Sequence, residues 1–200
     1  MYPAALPYPS PNYRSPRRAA ITHVVMHTCE SSDLNQCLNW LTDATAVDSQ
    51  GDPARVSAHY VVDSSGVYQL VQEGDEAWGA RGANRYGIQV EVVGFANDPS
   101  TWSPEVTHNL AALLDDVTAR NAIPLVYRDL ATMPENNRGI VAHAALDPAR
   151  RSDPGIYFPW TEIKRKIQQR RGDSVGDSAG LAVVVGLIGL ALLLAWGLRA

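Results

Sequence analysis

Apolar and polar positions alternate along the chain with a period that changes from segment to segment, and the changes mark out interleaved strands and helices. Residues 20 to 27 read as a buried strand with His23, Val25 and His27 on one face. "SSDLNQCLNWL" has helical spacing: Leu34, Cys37, Leu38 and Leu41 share a stripe, and Ser31 or Ser32 is placed to cap it. "RVSAHYVVDSSGVYQLV" alternates about a DSSG turn and predicts a hairpin with strands near 56–62 and 67–71. "GIQVEVVGF", residues 87 to 95, predicts a further strand with Gln89, Glu91 and Val93 on one face and Ile88, Val90 and Val92 on the other. Residues 104 to 120 predict a helix capped by Ser103, with Pro104 in its first turn and a stripe of Val106, Leu110, Leu113, Leu114 and Val117. "GIVAH" is a short apolar run ending in His143, "DPARRSDPGIYFP" is a loop, and an amphipathic helix is expected from about 160 to 171.

This order predicts an α/β domain over residues 20–171, a mixed central sheet flanked by helices. A proline-rich leader, residues 1–19, is expected to lie extended along its surface. The leader has no apolar core of the kind a secretory signal needs, so none is expected there. A polar linker, 172–178, leads to residues 179–198, "AGLAVVVGLIGLALLLAWGL", in which nothing carries a charge. That stretch is long enough to cross roughly 30 Å of hydrocarbon, so it predicts a single C-terminal transmembrane helix with the lipid bilayer as partner. Lys164, Arg165, Lys166, Arg170 and Arg171 precede the span and Arg199 follows it, a count that places the domain in the cytoplasm. The alternative is that those charges are the solvated face of the last domain helix, which leaves the side of the membrane open.

Charge narrows the partners. The 200 residues carry a formal net charge of −4, and no basic stripe interleaved with aromatics occurs, which argues against nucleic acid. Of the two cysteines, Cys37 lies on the apolar helix stripe, so a disulfide to Cys29 and a pair of buried thiols both stay open.

Three side chains stand where chemistry is possible and packing does not demand them. His27 and His143 end apolar runs, and Asp153 lies in the loop ten residues after His143. Two imidazoles and a carboxylate form a recurrent catalytic zinc set, because three protein ligands leave a fourth position for a water whose pKa falls to about 7. Each residue alone has a plainer reading: a satisfied strand-end histidine, or an aspartate that forms a turn.

Four blocks sharpen the reading. "ITHVVMHT", "VSAHYVVDSSGVYQLV", "AWGARGANRYGIQVEVVG" and "HAALDPARRSDPGIYFPW" occur in the order, and with roughly the separations, of zinc-dependent N-acetylmuramoyl-L-alanine amidases, which share their fold with the peptidoglycan recognition proteins. The resemblance covers about residues 8 to 168. It implies that His27, His143 and Asp153 hold zinc, that Glu91 serves as the base, and that Arg151 stands where many such amidases have a lysine. An arginine keeps its charge but gives up no proton. The resemblance also places His59, Trp78 and Asn84 near a substrate cleft, although a structural hydrogen bond for His59 and a pairing of Glu91 with Arg81 or Arg85 remain alternatives. Where many relatives have a histidine after the tryptophan of "AW", this chain has Gly79. The function implied is hydrolysis of the bond between N-acetylmuramic acid and L-alanine in peptidoglycan. The alternative is a membrane or virion protein that binds peptidoglycan without cutting it; the tail anchor favours a lysis enzyme of phage origin.

Overall fold

A computed structural model describes residues 1–47, 50–128 and 138–172. The expected membrane span, 179–198, and the linker beyond residue 172 lie outside the described residues, among which no helix is long and apolar enough to cross a membrane.

The central strands are β3 (His23–Thr28), β4 (Tyr60–Val62), β7 (Gly87–Val92) and β9 (Gly139–Ala142). They form one sheet with β1 (Leu6–Pro7), β5 (Val67–Gln69) and β8 (Tyr127–Arg128), in the order β1-β5-β4-β7-β3-β9-β8. Pairing is parallel throughout except between β4 and β5, which are antiparallel as the DSSG hairpin requires. The architecture is therefore the expected mixed α/β sheet. A parallel strand inside a sheet is covered on both faces, which is why all six residues of β3 are buried, the polar His23, His27 and Thr28 included.

Two helices cover one face. Val106, Leu110, Leu113, Leu114 and Val117 of α2 (Pro104–Arg120) pack with Ile163 and Ile167, from a closing helix α4 over residues 160–172, against Val24, Met26, Ile88, Val90, Val92 and Ile140. On the opposite face α1 (Leu34–Thr42) buries Cys37, Leu38 and Leu41 on Ala58, Val61 and Leu70. Beside it the short helix α3 (His143–Leu146) begins where β9 stops and buries Ala145 with Val25 and Val141. Ser103 caps α2 by accepting from the Val106 N–H, as expected.

Three local expectations change. The cap of α1 is Asp33, whose carboxylate accepts from the N–H groups of Asn35 and Gln36, while Ser31 Oγ is turned to the Asp33 N–H. An ionised carboxylate reaching two amides is the stronger cap at a positive helix end. The leader does more than lie on the surface: Leu6 and Pro7 extend the sheet as β1, and β2 (Tyr13–Arg14) pairs antiparallel with β6 (Glu76–Ala77). The third resolves an open question, because Cys29 and Cys37 form a disulfide that ties the end of β3 to α1.

Candidate active site

The parallel register assembles the site at the carboxyl ends of three adjacent strands. His27 is the ladder partner of Glu91 on β7, and Met26 is the partner of Ala142 on β9, so His27 and His143 follow side by side. The carboxyl ends of parallel strands are where such sheets place their ligands. Asp153 arrives from the loop after α3, held back on that helix by its carbonyl, which accepts from the Ala144 N–H. The loop can come this close because residue 155 is glycine: at φ +89 a Cβ there would fall 1.7 Å from the Ala96 carbonyl oxygen.

His27 Nδ1 and His143 Nδ1 stand 3.0 Å apart, and Asp153 Oδ2 lies 3.2 Å from the first and 3.0 Å from the second. All three residues are buried. A tetrahedral ion with ligand bonds of about 2.0–2.1 Å would want ligand atoms roughly 3.3 Å apart, close to this triangle. Donor type, count and spacing all fit zinc.

Burial pushes the Asp153 carboxyl upward, but the hydrogen bonds from His143 and His27 outweigh it and hold the group well below the usual carboxylate range. Burial lowers His143 more than Asp153 raises it, which favours the neutral imidazole that a metal needs. For His27, burial is overcome by the charges of Glu91 and Asp153, which raise it. The half-buried Glu91 is pushed up to about 7, by burial first and by the charges of Asp153 and Glu30, against the opposing pull of His27 and Arg151. Its Oε2 is buried and has no hydrogen-bond partner among the described residues, so the expected alternative of a pairing with Arg81 or Arg85 is not what forms.

His27, Glu91, His143, Arg151 and Asp153 line one cavity of about 420 Å³, whose far wall is α1 with Gln36 and Trp40. A groove of about 820 Å³ continues from it and holds Trp78 and Asn84 together with Arg18, Arg55, Arg81, Arg85 and Arg150. Trp40, Val56, Gly79, His143 and Arg151 are common to both.

His59 is elsewhere. It is fully buried, its Nδ1 accepts from the Gln89 N–H at 2.9 Å, and its Nε2 faces the Asp75 carbonyl at 3.2 Å and Arg17 Nη2 at 2.7 Å. It lines neither cavity nor groove, so its polarity is spent inside the protein. Burial, aided by Arg17, holds its imidazole down to about 3. The unfolded chain therefore takes up a proton near pH 6.5 that the folded one refuses until about 3. The stability due to neutral His59 is complete above 6.5 and is lost as pH falls, at up to about 1.4 kcal/mol per pH unit. Denaturant titrations between pH 5 and 6.5 on Glu91→Gln, which removes the opposing titration of the Glu91 carboxyl over the same range, should show this slope, and the His59 ring resonances should stay constant; a midpoint near 6.5 in those resonances would contradict the buried geometry.

Two elements of the site escaped the sequence reading. Gln89 contacts His27, and the only signal for it was an amide in an apolar strand on the Glu91 face. The arginines of the groove are scattered over residues 18 to 151, and no local pattern joins them.

Residues 17–156 match the family model described as Amidase_2, N-acetylmuramoyl-L-alanine amidase. The chain is 31% identical over 160 residues to N-acetylmuramoyl-L-alanine amidase A of Achromobacter lyticus, spanning 75% of this chain and 85% of that protein. It is 32% identical over 146 residues to N-acetylmuramoyl-L-alanine amidase AmiD of Escherichia coli (strain K12), spanning 62% of this chain and 47% of the relative. In fold it is similar to the crystal structure of a selenomethionine derivative of AmpD, with a TM-score of 0.62 and 21% identity over 83% of this chain and 96% of the other.

Proposed function

Because the chain belongs to the N-acetylmuramoyl-L-alanine amidase family, an enzyme family that acts on peptidoglycan, we propose that it cuts the amide between N-acetylmuramic acid and L-alanine with zinc held by His27, His143 and Asp153. The observation that supports this most is the convergence of His27 Nδ1, His143 Nδ1 and Asp153 Oδ2 beside a carboxylate whose Oε2 has no partner among the described residues. Zinc bound there would act as a Lewis acid and lower the pKa of water.

The chain's own residues do the rest. Glu91 accepts the proton of the attacking water at its carboxylate and returns it to the leaving nitrogen, from a position on the wall of the cavity that the three ligands share. Arg151, at the mouth of the cavity, places positive charge beside the oxygen that becomes negative as the amide carbon turns tetrahedral. Trp78 and Asn84 flank the substrate in the groove, with Asn84 Oδ1 bracing the turn at the Ala80 N–H.

The groove favours an anionic substrate. Arg18 is paired with Glu76 and Arg150 with Asp147, but among the described residues no carboxylate pairs with Arg55, Arg81, Arg85 or Arg151. Peptidoglycan stem peptides carry free carboxylates, which these guanidinium groups would attract. Arg81→Glu should raise KM by about 3–10-fold at low salt, with kcat little changed, and the effect should shrink as salt screens exposed charges. A KM unaffected by Arg81→Glu at low salt would remove the groove from substrate binding.

Release of new L-alanine amino termini from purified peptidoglycan, with no new reducing ends, tests the bond assignment. Binding to the wall without release would leave the non-catalytic reading. Residues 179–198 would tether the enzyme to a bilayer, so flotation of the full chain with liposomes, lost on truncation after residue 172, is the expected result; flotation of the truncated chain would remove the anchor from the account.

A further inference from the structure

Gln89 lies on β7, fully buried, on the same face as Glu91. Its Oε1 is 2.9 Å from His27 Nε2, and its backbone N–H is fixed on His59 Nδ1. Its Nε2 is buried without a partner among the described residues. A buried unpaired amide N–H costs about 1–3 kcal/mol, so packing alone is a poor reason for a glutamine here.

The amide is wedged between two glycines. A Cβ at Gly79 would lie 3.0 Å from Gln89 Oε1 and 3.1 Å from its Cβ and Cγ, and a Cβ at Gly87 would lie 3.0 Å from its Nε2. A carbonyl oxygen can only accept. With Oε1 facing it, His27 must carry its proton on Nε2, which leaves the Nδ1 lone pair bare and facing His143 Nδ1 and Asp153 Oδ2. The opposite setting of the amide would present N–H to Nε2, put the proton on Nδ1 and block that ligand position.

We infer that Gln89 is a positioning residue that selects the metal-binding tautomer of His27, and that residue 79 is glycine because a side chain there would displace the Gln89 amide. This rests on the zinc reading above. It also accounts for the departure at Gly79, which leaves the space that Gln89 occupies.

The test is zinc competition against a chromophoric chelator with the full chain, beside thermal melting of the metal-free proteins. Gln89→Leu, similar in volume but unable to accept a hydrogen bond, should melt near wild type and bind zinc about 10–100-fold more weakly, the usual cost of losing the partner that orients a ligating histidine. Gln89→Glu keeps the acceptor and should recover most of that loss. Gly79→Ala should weaken zinc in the same direction by a smaller factor, and it carries the test if Gln89→Leu does not fold. Equal zinc affinity for wild type, Gln89→Leu and Gly79→Ala would overturn the inference and leave the zinc site standing; failure of wild type itself to bind zinc would overturn both.

Discussion

His143→Ala is expected to abolish amidase activity, by at least about a thousandfold, and to remove stoichiometric zinc binding. Losing one of three protein ligands forfeits the several kcal/mol that a Lewis acid lends the transition state, and about 4 kcal/mol is a factor of a thousand. Folding should survive. In the metal-free protein, alanine relieves the 3.0 Å approach of two imidazole nitrogens and frees Asp153 Oδ2 of one of its two partners. Circular dichroism of the stripped variant should match stripped wild type, while zinc measured after gel filtration drops from one equivalent to none. Activity within tenfold of wild type would show that His143 is no ligand.

Glu91→Gln should separate chemistry from metal binding. A general base contributes about 10²–10⁴-fold, so kcat should fall by that factor while zinc remains bound. Stability should move the other way. The Glu91 carboxyl sits near 7 in the folded protein against an ordinary 4.5, so its neutral form costs nothing below 4.5 and its charged form is penalised as pH rises through 7. Wild type therefore loses stability over that window and the glutamine variant does not. Above pH 8 the metal-free variant should be the more stable by on the order of 1–3 kcal/mol, the lower figure applying to the extent that water reaches the group. Denaturant midpoints of chelator-treated proteins at pH 5 and pH 8 measure it, and a variant less stable than wild type at both would mean that Glu91 holds the structure together.

How far the sequence could be read follows from which contacts are local. The faces of β3 and β7 were legible from period alone, which is why Val24, Met26, Ile88 and Val90 point into the core while His27 and Glu91 point away from it. That β3 lies between β7 and β9 depends on pairings across 64 and 116 residues (His23 with Gly87 and with Gly139); residue type alone grouped His143 and Asp153 with His27, and the four-block resemblance sharpened that grouping. His59 shows the limit. Its "SAHY" context looks as functional as the "VMHT" of His27; the difference is Arg17, forty-two residues away, which closes over its Nε2. The leader is extended along the surface as expected, but its proline content says nothing of the β5 edge that Leu6 and Pro7 join. The cysteine pair stayed open until the turn after β3 set the two Cα atoms 5.7 Å apart.

The central claim is that one metal ion, held by His27, His143 and Asp153, makes this chain an amidase. Its most direct test is to strip the full chain with a chelator, add zinc back in fractions of an equivalent, and follow release of L-alanine amino termini from peptidoglycan. The account predicts no release from the stripped protein and a linear recovery that breaks at one equivalent. Release by the fully stripped enzyme at the wild-type rate would contradict it.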